Sequence, residues 1–255
     1  MRRYLFFIYM LVFLWYASVL PAQSYWDSRT KANESDWRID THLFDNAGCS
    51  FIPENVHIQG GLLELTLDKL RNTGNLKEYA GSSIHSEHTY GYGRYTVRMK
   101  NNIKKGTVSS FFIMNPWQAD DWMQQEIDIE FLGSDTSKVQ CTVHAYKNGS
   151  DTVREYVYDL GFDSNKEFHN YGIDWSRKHV DWLVDGSIVH TETENLPEST
   201  EMNIFMNHWL GNPENTDIMR WLGTVSDTDL PSTVYYMWVM YEPEVGETAR
   251  YESRP

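Results

Sequence analysis

The chain has 255 residues, 41% hydrophobic and 15% aromatic, enough for one large core, since β-sandwiches often exceed 200 residues undivided. Its 36 acidic against 22 basic side chains give a formal net charge of −14, which makes nucleic acid and anionic lipid poor partners and suits a neutral polymer. The two cysteines, Cys49 and Cys141, allow at most one disulfide and lack the paired spacing of a zinc site.

At the start, Arg2 and Arg3 precede an apolar run from Tyr4 to Leu20, and Ala22-Gln23-Ser24 offers the small residues a signal peptidase reads. Residues 1–24 are therefore expected to be a cleaved signal, giving a secreted or periplasmic protein with no stable membrane association. An uncleaved anchor is the competing reading, because 17 residues reach the lower limit for spanning a bilayer. Cleavage removes two basic residues and no acidic one, moving the charge from −14 to −16.

Residues 25–46 are polar and ragged. Beyond them come short segments of period-two alternation between turn residues, the pattern of antiparallel strands. In "LLELTL" Leu63, Leu65 and Leu67 alternate with Glu64 and Thr66; in "RYTVRMK" Tyr95, Val97 and Met99 alternate with polar residues. Then "EIDIEF" sets Glu126, Asp128 and Glu130 on one face of a strand and Ile127, Ile129 and Phe131 on the other. Three carboxylates could simply protect an exposed edge. The aromatic neighbours Phe111, Phe112, Trp117 and Trp122 and the cost of crowding like charges favour a site instead. Glycoside hydrolysis fits, with one carboxylate attacking the anomeric carbon and another protonating the leaving oxygen. On a straight strand the two glutamate Cα atoms stand about 13 Å apart, so the sheet must be concave and twisted. Such a sheet also suits a long polymer.

Further along, "VDWLVDGSIVHTE" reads as two strands around Asp185-Gly186, a hairpin dipeptide. In "FMNHW", Asn207, His208 and Trp209 are too polar for a simple core strand. Trp209 offers an indole face to a sugar and Asn207 an amide, with ordinary core Trp as the bland alternative. Trp122 is balanced between groove wall and core. The histidines show no ligand spacing. No helical periodicity appears, so the chain is expected to be all-β, two packed antiparallel sheets forming a sandwich or jelly roll. Residues 25–243 would form one domain, and the charged tail 244–255 is expected to be disordered.

The stretches "TYGYGRYTVRMK", "GTVSSFF", "EIDIEFLGSDTSKVQ", "DLGFD", "WLVDGSIVH", "FMNHWLG" and "WLG" resemble glycoside hydrolase family 16, above all its bacterial licheninase branch, over residues 44–241. The resemblance implies a concanavalin-like β-jelly roll and retaining endo-hydrolysis of β-1,3-1,4-glucan without a cofactor. It implies Glu126 as nucleophile, Asp128 as its assistant and Glu130 as acid/base, with Trp209, Asn207 and Gln140 in the sugar cleft. The partner would be the polysaccharide alone, bound by a monomer. Two other readings stay open: a depolymerase or transglycosylase for another β-linked polysaccharide, and a non-catalytic carbohydrate-binding module.

Departures from the branch carry expectations of their own. Gly81 stands where the branch has the cysteine that pairs with the one near Cys49, so two free thiols are expected. Cys141 replaces an aromatic. Ser83 and His85 replace a Glu and an Arg of the cleft, so mixed-linkage glucan should be cut less efficiently. Met237 replaces an Asp of a calcium site, so no metal is expected.

Overall fold

Period-two alternation becomes burial. Leu63, Leu65 and Leu67 are at most 1% exposed, and Tyr95, Val97 and Met99 are fully buried. The computed structural model describes residues 23–27, 36–42, 45–74, 76–116, 123–147 and 149–244. In chain order the strands are β1 (Gln23–Asp27), β2 (Trp37–Ile39), β3 (Cys49–Phe51), β4 (Val56–Gln59), β5 (Leu62–Lys69), β6 (Tyr79–Ser86), β7 (Gly93–Lys100) and β8 (Thr107–Met114). There follow β9 (Gln125–Leu132), β10 (Lys138–Lys147), β11 (Ser150–Asp159), β12 (His169–Trp175), β13 (Val180–Val184), β14 (Ser187–Glu192) and β15 (Asn203–Leu210), then a helix α1 (Thr216–Leu222) and β16 (Ser232–Pro243).

One antiparallel sheet runs β2-β6-β15-β8-β9-β10-β11; the other runs β4-β5-β16-β7-β12-β13-β14, with β1 also on β16. They join where Asp68 and Lys69 of β5 pair with Ala80 and Tyr79 of β6, beside the parallel β3. This is the β-jelly-roll sandwich. Its core lies between the sheets, where Ile127, Ile129 and Phe131 of β9 are at most 2% exposed. Phe131 meets Tyr171 edge-on at 4.7 Å. The Trp182 indole N–H donates to the Asp128 carbonyl at 2.8 Å, and the Tyr236 hydroxyl to the Ser110 carbonyl at 3.0 Å. The strand of carboxylates and its neighbour β8 are thus each pinned from behind. Trp182→Phe would leave a buried carbonyl one partner short, at about 1–3 kcal/mol.

The Asp185-Gly186 hairpin forms with φ of 47° and 82°, the two positive values a type I′ turn needs. The all-β expectation stands, with one short helix beside the strands: α1 is capped by the Asn215 side chain, which accepts from the Asp217 and Ile218 N–H groups, and it ends at Gly223 with φ 78°. Seven residues are too few for helical periodicity to register, but the Asn and Gly caps were there to be read. The ragged segment 25–46 also supplies β2, which pairs with β6.

Of the expected signal, residues 1–22 lie outside the described residues, while Gln23 and Ser24 open β1 opposite Tyr241 and Met240. Residues 245–255 of the tail also lie outside them; Glu244 does not behave as tail, since its N–H donates to the Tyr92 carbonyl at 3.0 Å. Among the described residues no helix is long and apolar enough to cross a membrane.

Both cysteines are free and buried, in separate apolar clusters. A Cβ at Gly81 would stand 2.8 Å from the Cys49 sulfur, so position 81 adjoins Cys49 and simply lacks a sulfur. Burial pushes the Cys49 thiol up to about 11, and the Cys141 thiol higher still. The folded protein should therefore resist a thiol reagent at neutral pH and take up two equivalents on unfolding. A two-dalton mass deficit before reduction would contradict this.

Candidate active site

Antiparallel register decides which side chains share the groove, because directly opposed residues lie on one face. Three rows cross the sheet. Asn203, Met114, Glu126, His144 and Val153 form one; His85, Phe205, Phe112, Asp128, Thr142 and Glu155 the next; Ser83, Asn207, Ser110, Glu130, Gln140 and Val157 the third. Glu126 and Glu130 are partly exposed, and Asp128 between them is 4% exposed. Two carboxyls thus face the groove, with a covered one shared between them.

Electrostatics separates their roles. Asp128 is held well above the usual carboxylate range by burial first, then by the charges of Glu126 and Glu130 and a hydrogen bond to Glu126. Glu130 is pushed up to about 8, again by burial first, then by Glu126 and Glu155, while a hydrogen bond from Thr142 opposes the rise. Burial outranks the Glu126 charge, although a sequence makes only the charge visible. At neutral pH Glu130 therefore carries a proton it can give away. Glu126 accepts from the Gln124 amide.

On the β10 side, the Gln140 amide nitrogen lies 3.4 Å from Glu130 Oε2. His144 stands opposite Glu126, its Nε2 3.7 Å from Asp128 Oδ2. The histidines show no ligand spacing in the sequence, and only the β9–β10 register brings His144 to the groove. Its Nδ1, Asp128 Oδ2 and Asn207 Oδ1 are buried atoms without a hydrogen-bond partner, all three on groove-facing residues. A buried, unpaired polar atom is costly, and a sugar hydroxyl is the kind of group that would satisfy it.

On the other side, Ser83 and His85 are not isolated replacements. The Ser83 hydroxyl donates to Asp40 Oδ2 at 2.5 Å, and His85 Nδ1 lies 2.7 Å from Asp40 Oδ1. Asp40, just beyond β2, brings to this end of the groove a carboxylate that no motif marks. His85 stacks on Phe205 at 5.3 Å and Phe205 on Phe112 at 4.8 Å, a ring-lined floor leading to Asp128. Trp209 shares the groove face by register but is only 5% exposed, packed with Val108, Leu210 and Leu222, so it is a wall covered by neighbours and not an open platform. The partly exposed indole beside it is Trp221, 6.2 Å away. His208, read with its neighbours as site-like, faces the core: Nδ1 lies 2.9 Å from the Val108 carbonyl, Nε2 2.7 Å from the Ser232 hydroxyl, and burial pushes its pKa down to about 4. Trp117 and Trp122 lie outside the described residues. Met237 falls at the register shift between Tyr236 and Trp238 and puts no carboxylate there.

A jelly roll whose groove floor carries a proton-loaded glutamate beside a second glutamate is built like a carbohydrate-cleaving enzyme. The chain belongs to glycosyl hydrolases family 16, whose model matches residues 44–227, and it is a glycoside hydrolase. It is similar to a β-glucanase of Bacillus subtilis (strain 168), 43% identical over 229 residues, 88% of each chain. It is also similar to a β-glucanase of Paenibacillus macerans, 38% identical over 241 residues, 92% of this chain and 94% of that one. Among solved structures, Bacillus licheniformis β-glucanase superposes with a TM-score of 0.75 at 32% identity, covering 88% of this chain and all of that one. A prokaryotic β-1,3-1,4-glucanase (lichenase) from a mouse hindgut metagenome gives 0.73 at 33% identity, covering 84% and 96%.

Proposed function

We propose that the protein is a secreted, retaining endo-β-glucanase that cuts β-1,3-1,4-glucan by double displacement, with Glu126 as nucleophile, Glu130 as acid/base and Asp128 holding Glu126. The observation that carries this reading is the pair of groove-facing glutamates on β9, one of them protonated at neutral pH. Glu130 gives its proton to the leaving sugar oxygen as Glu126 attacks the anomeric carbon. Forming the glycosyl ester removes the Glu126 charge, the second cause of Glu130's raised pKa, so the Glu130 carboxylate is less opposed when it takes a proton from water. The two β-glucanases and the lichenase at 33–43% identity support the glucan as substrate. No step needs a cofactor or a metal, and one chain carries the whole groove, which suits a monomer. The basic start and apolar run support cleavage of residues 1–24 and export.

Reducing-end release from barley β-glucan, lichenan, laminarin and cellulose, with NMR of the first-formed anomer, tests this. Release from the two mixed-linkage glucans with retained configuration is expected; an inverted first product would remove the double displacement. kcat/KM should fall as pH rises through about 8, where Glu130 loses its proton; a flat profile to pH 10 would contradict the acid role. The Ser83-Asp40-His85 cluster favours one second reading, a depolymerase for a different β-linked polysaccharide, and cleavage of a bacterial exopolysaccharide with no release from the glucan panel would select it.

A further inference from the structure

Glu130 is reached by a short hydrogen-bonded chain that begins on α1. The Trp221 indole N–H donates to Gln140 Oε1 at 3.0 Å, and the Gln140 amide nitrogen lies 3.4 Å from both Glu130 Oε2 and Thr142 Oγ1. An amide is nearly symmetric in shape, so either end of Gln140 could face the carboxyl. An indole N–H can only donate. It therefore takes the amide oxygen and leaves the NH2 end for Glu130. Gln140 is 7% exposed, so water has little room to replace the indole. The indole itself is held by a helix capped at both ends and packed against the Trp209 cluster.

We infer that Trp221 is a positioning residue for the acid/base: acting through Gln140, it keeps a hydrogen-bond donor turned toward Glu130 and so favours the carboxylate form that must act as base in the second half of turnover. This rests on the reading of Glu130 as acid/base. Without the indole N–H, the amide oxygen would be left unpaired, and the amide turns to accept from protonated Glu130 instead. Glu130 then holds its proton more tightly. The first step, which needs that proton, is spared, and the second, which needs its absence, is slowed.

The test is a 13C-carboxyl NMR titration of Glu130 in the full chain, assigned with Glu130→Gln, in wild type, Trp221→Phe and Gln140→Met. Trp221→Phe should raise the Glu130 midpoint by about half a unit or more. Gln140→Met should raise it similarly, and the double variant should add nothing, since both act on one path. On an activated aryl glycoside, where the second step limits, kcat should drop about threefold at pH values below the Glu130 midpoint of the glycosyl-enzyme, which lies under that of the free enzyme, with kcat/KM kept. An unchanged or lowered midpoint in a folded Trp221→Phe overturns the inference, as does an equal loss in kcat and kcat/KM without a shift, which marks plain packing. The titration needs no substrate, so a wild type that cuts no glucan defeats the functional reading while this chain is still decided.

Discussion

Glu126→Ala is expected to lower hydrolysis by a factor on the order of 10⁴ or more, the scale seen when a covalent nucleophile is removed, and to leave the fold intact. Glu126 is partly exposed, and its hydrogen bond from Gln124 is easily replaced by water. Its removal also relieves two neighbours, since its charge is the second cause of the raised pKa of both Asp128 and Glu130. Glu130 in the variant should therefore titrate below about 8. The methyl side chain leaves room for a small anion, so azide should restore turnover of an activated aryl glycoside and give a glycosyl azide of inverted configuration. A retained-configuration azide would exchange the roles of the two glutamates.

Glu130→Ala should be selective. Natural glucan, whose leaving group is an unactivated sugar hydroxyl, should lose about 10²–10⁴-fold, the usual worth of a general acid, while the first step on a dinitrophenyl glycoside should change little. Equal losses on both substrates would end the acid/base assignment. Glu130→Gln adds a stability readout. The folded pKa of Glu130 is raised from 4.5 to about 8, so the stability contributed by this group is complete below pH 4.5 and lost as pH rises toward 8. Gln does not titrate. The variant's Tm, compared with wild type, should therefore be nearly level at pH 4.5 and progressively higher toward pH 8; a pH-independent difference would mean that Glu130 is not desolvated as described.

Much of this was legible in the chain because alternation is a local property. Each strand carries its own record of which residues face inward, and Glu126, Asp128 and Glu130 project together whatever strands lie beside them. The Asp185-Gly186 turn is equally local, since its positive φ values depend on two residues alone. Gln140 could be placed only on condition that its strand neighbours the catalytic one, which the hairpin of β9 and β10 satisfies.

By itself, then, the sequence determined the all-β class, the strand faces, the carboxylate row and the family likeness, all of which are written at spacings of two to a dozen residues. Tertiary structure alone decided the rest. β15 sits between β8 and β6 although more than 80 residues separate it from either, and that placement brings Phe205 and Asn207 into the groove and covers Trp209. Asp40 meets Ser83 and His85 across more than 40 residues, and Trp221 meets Gln140 across 81. Desolvation, the largest cause of the raised pKa of Glu130, exists only once the strands on either side of β9 have assembled the groove around it. Such effects depend on which distant segments exclude water together, a sum over many weak contacts that no local pattern records.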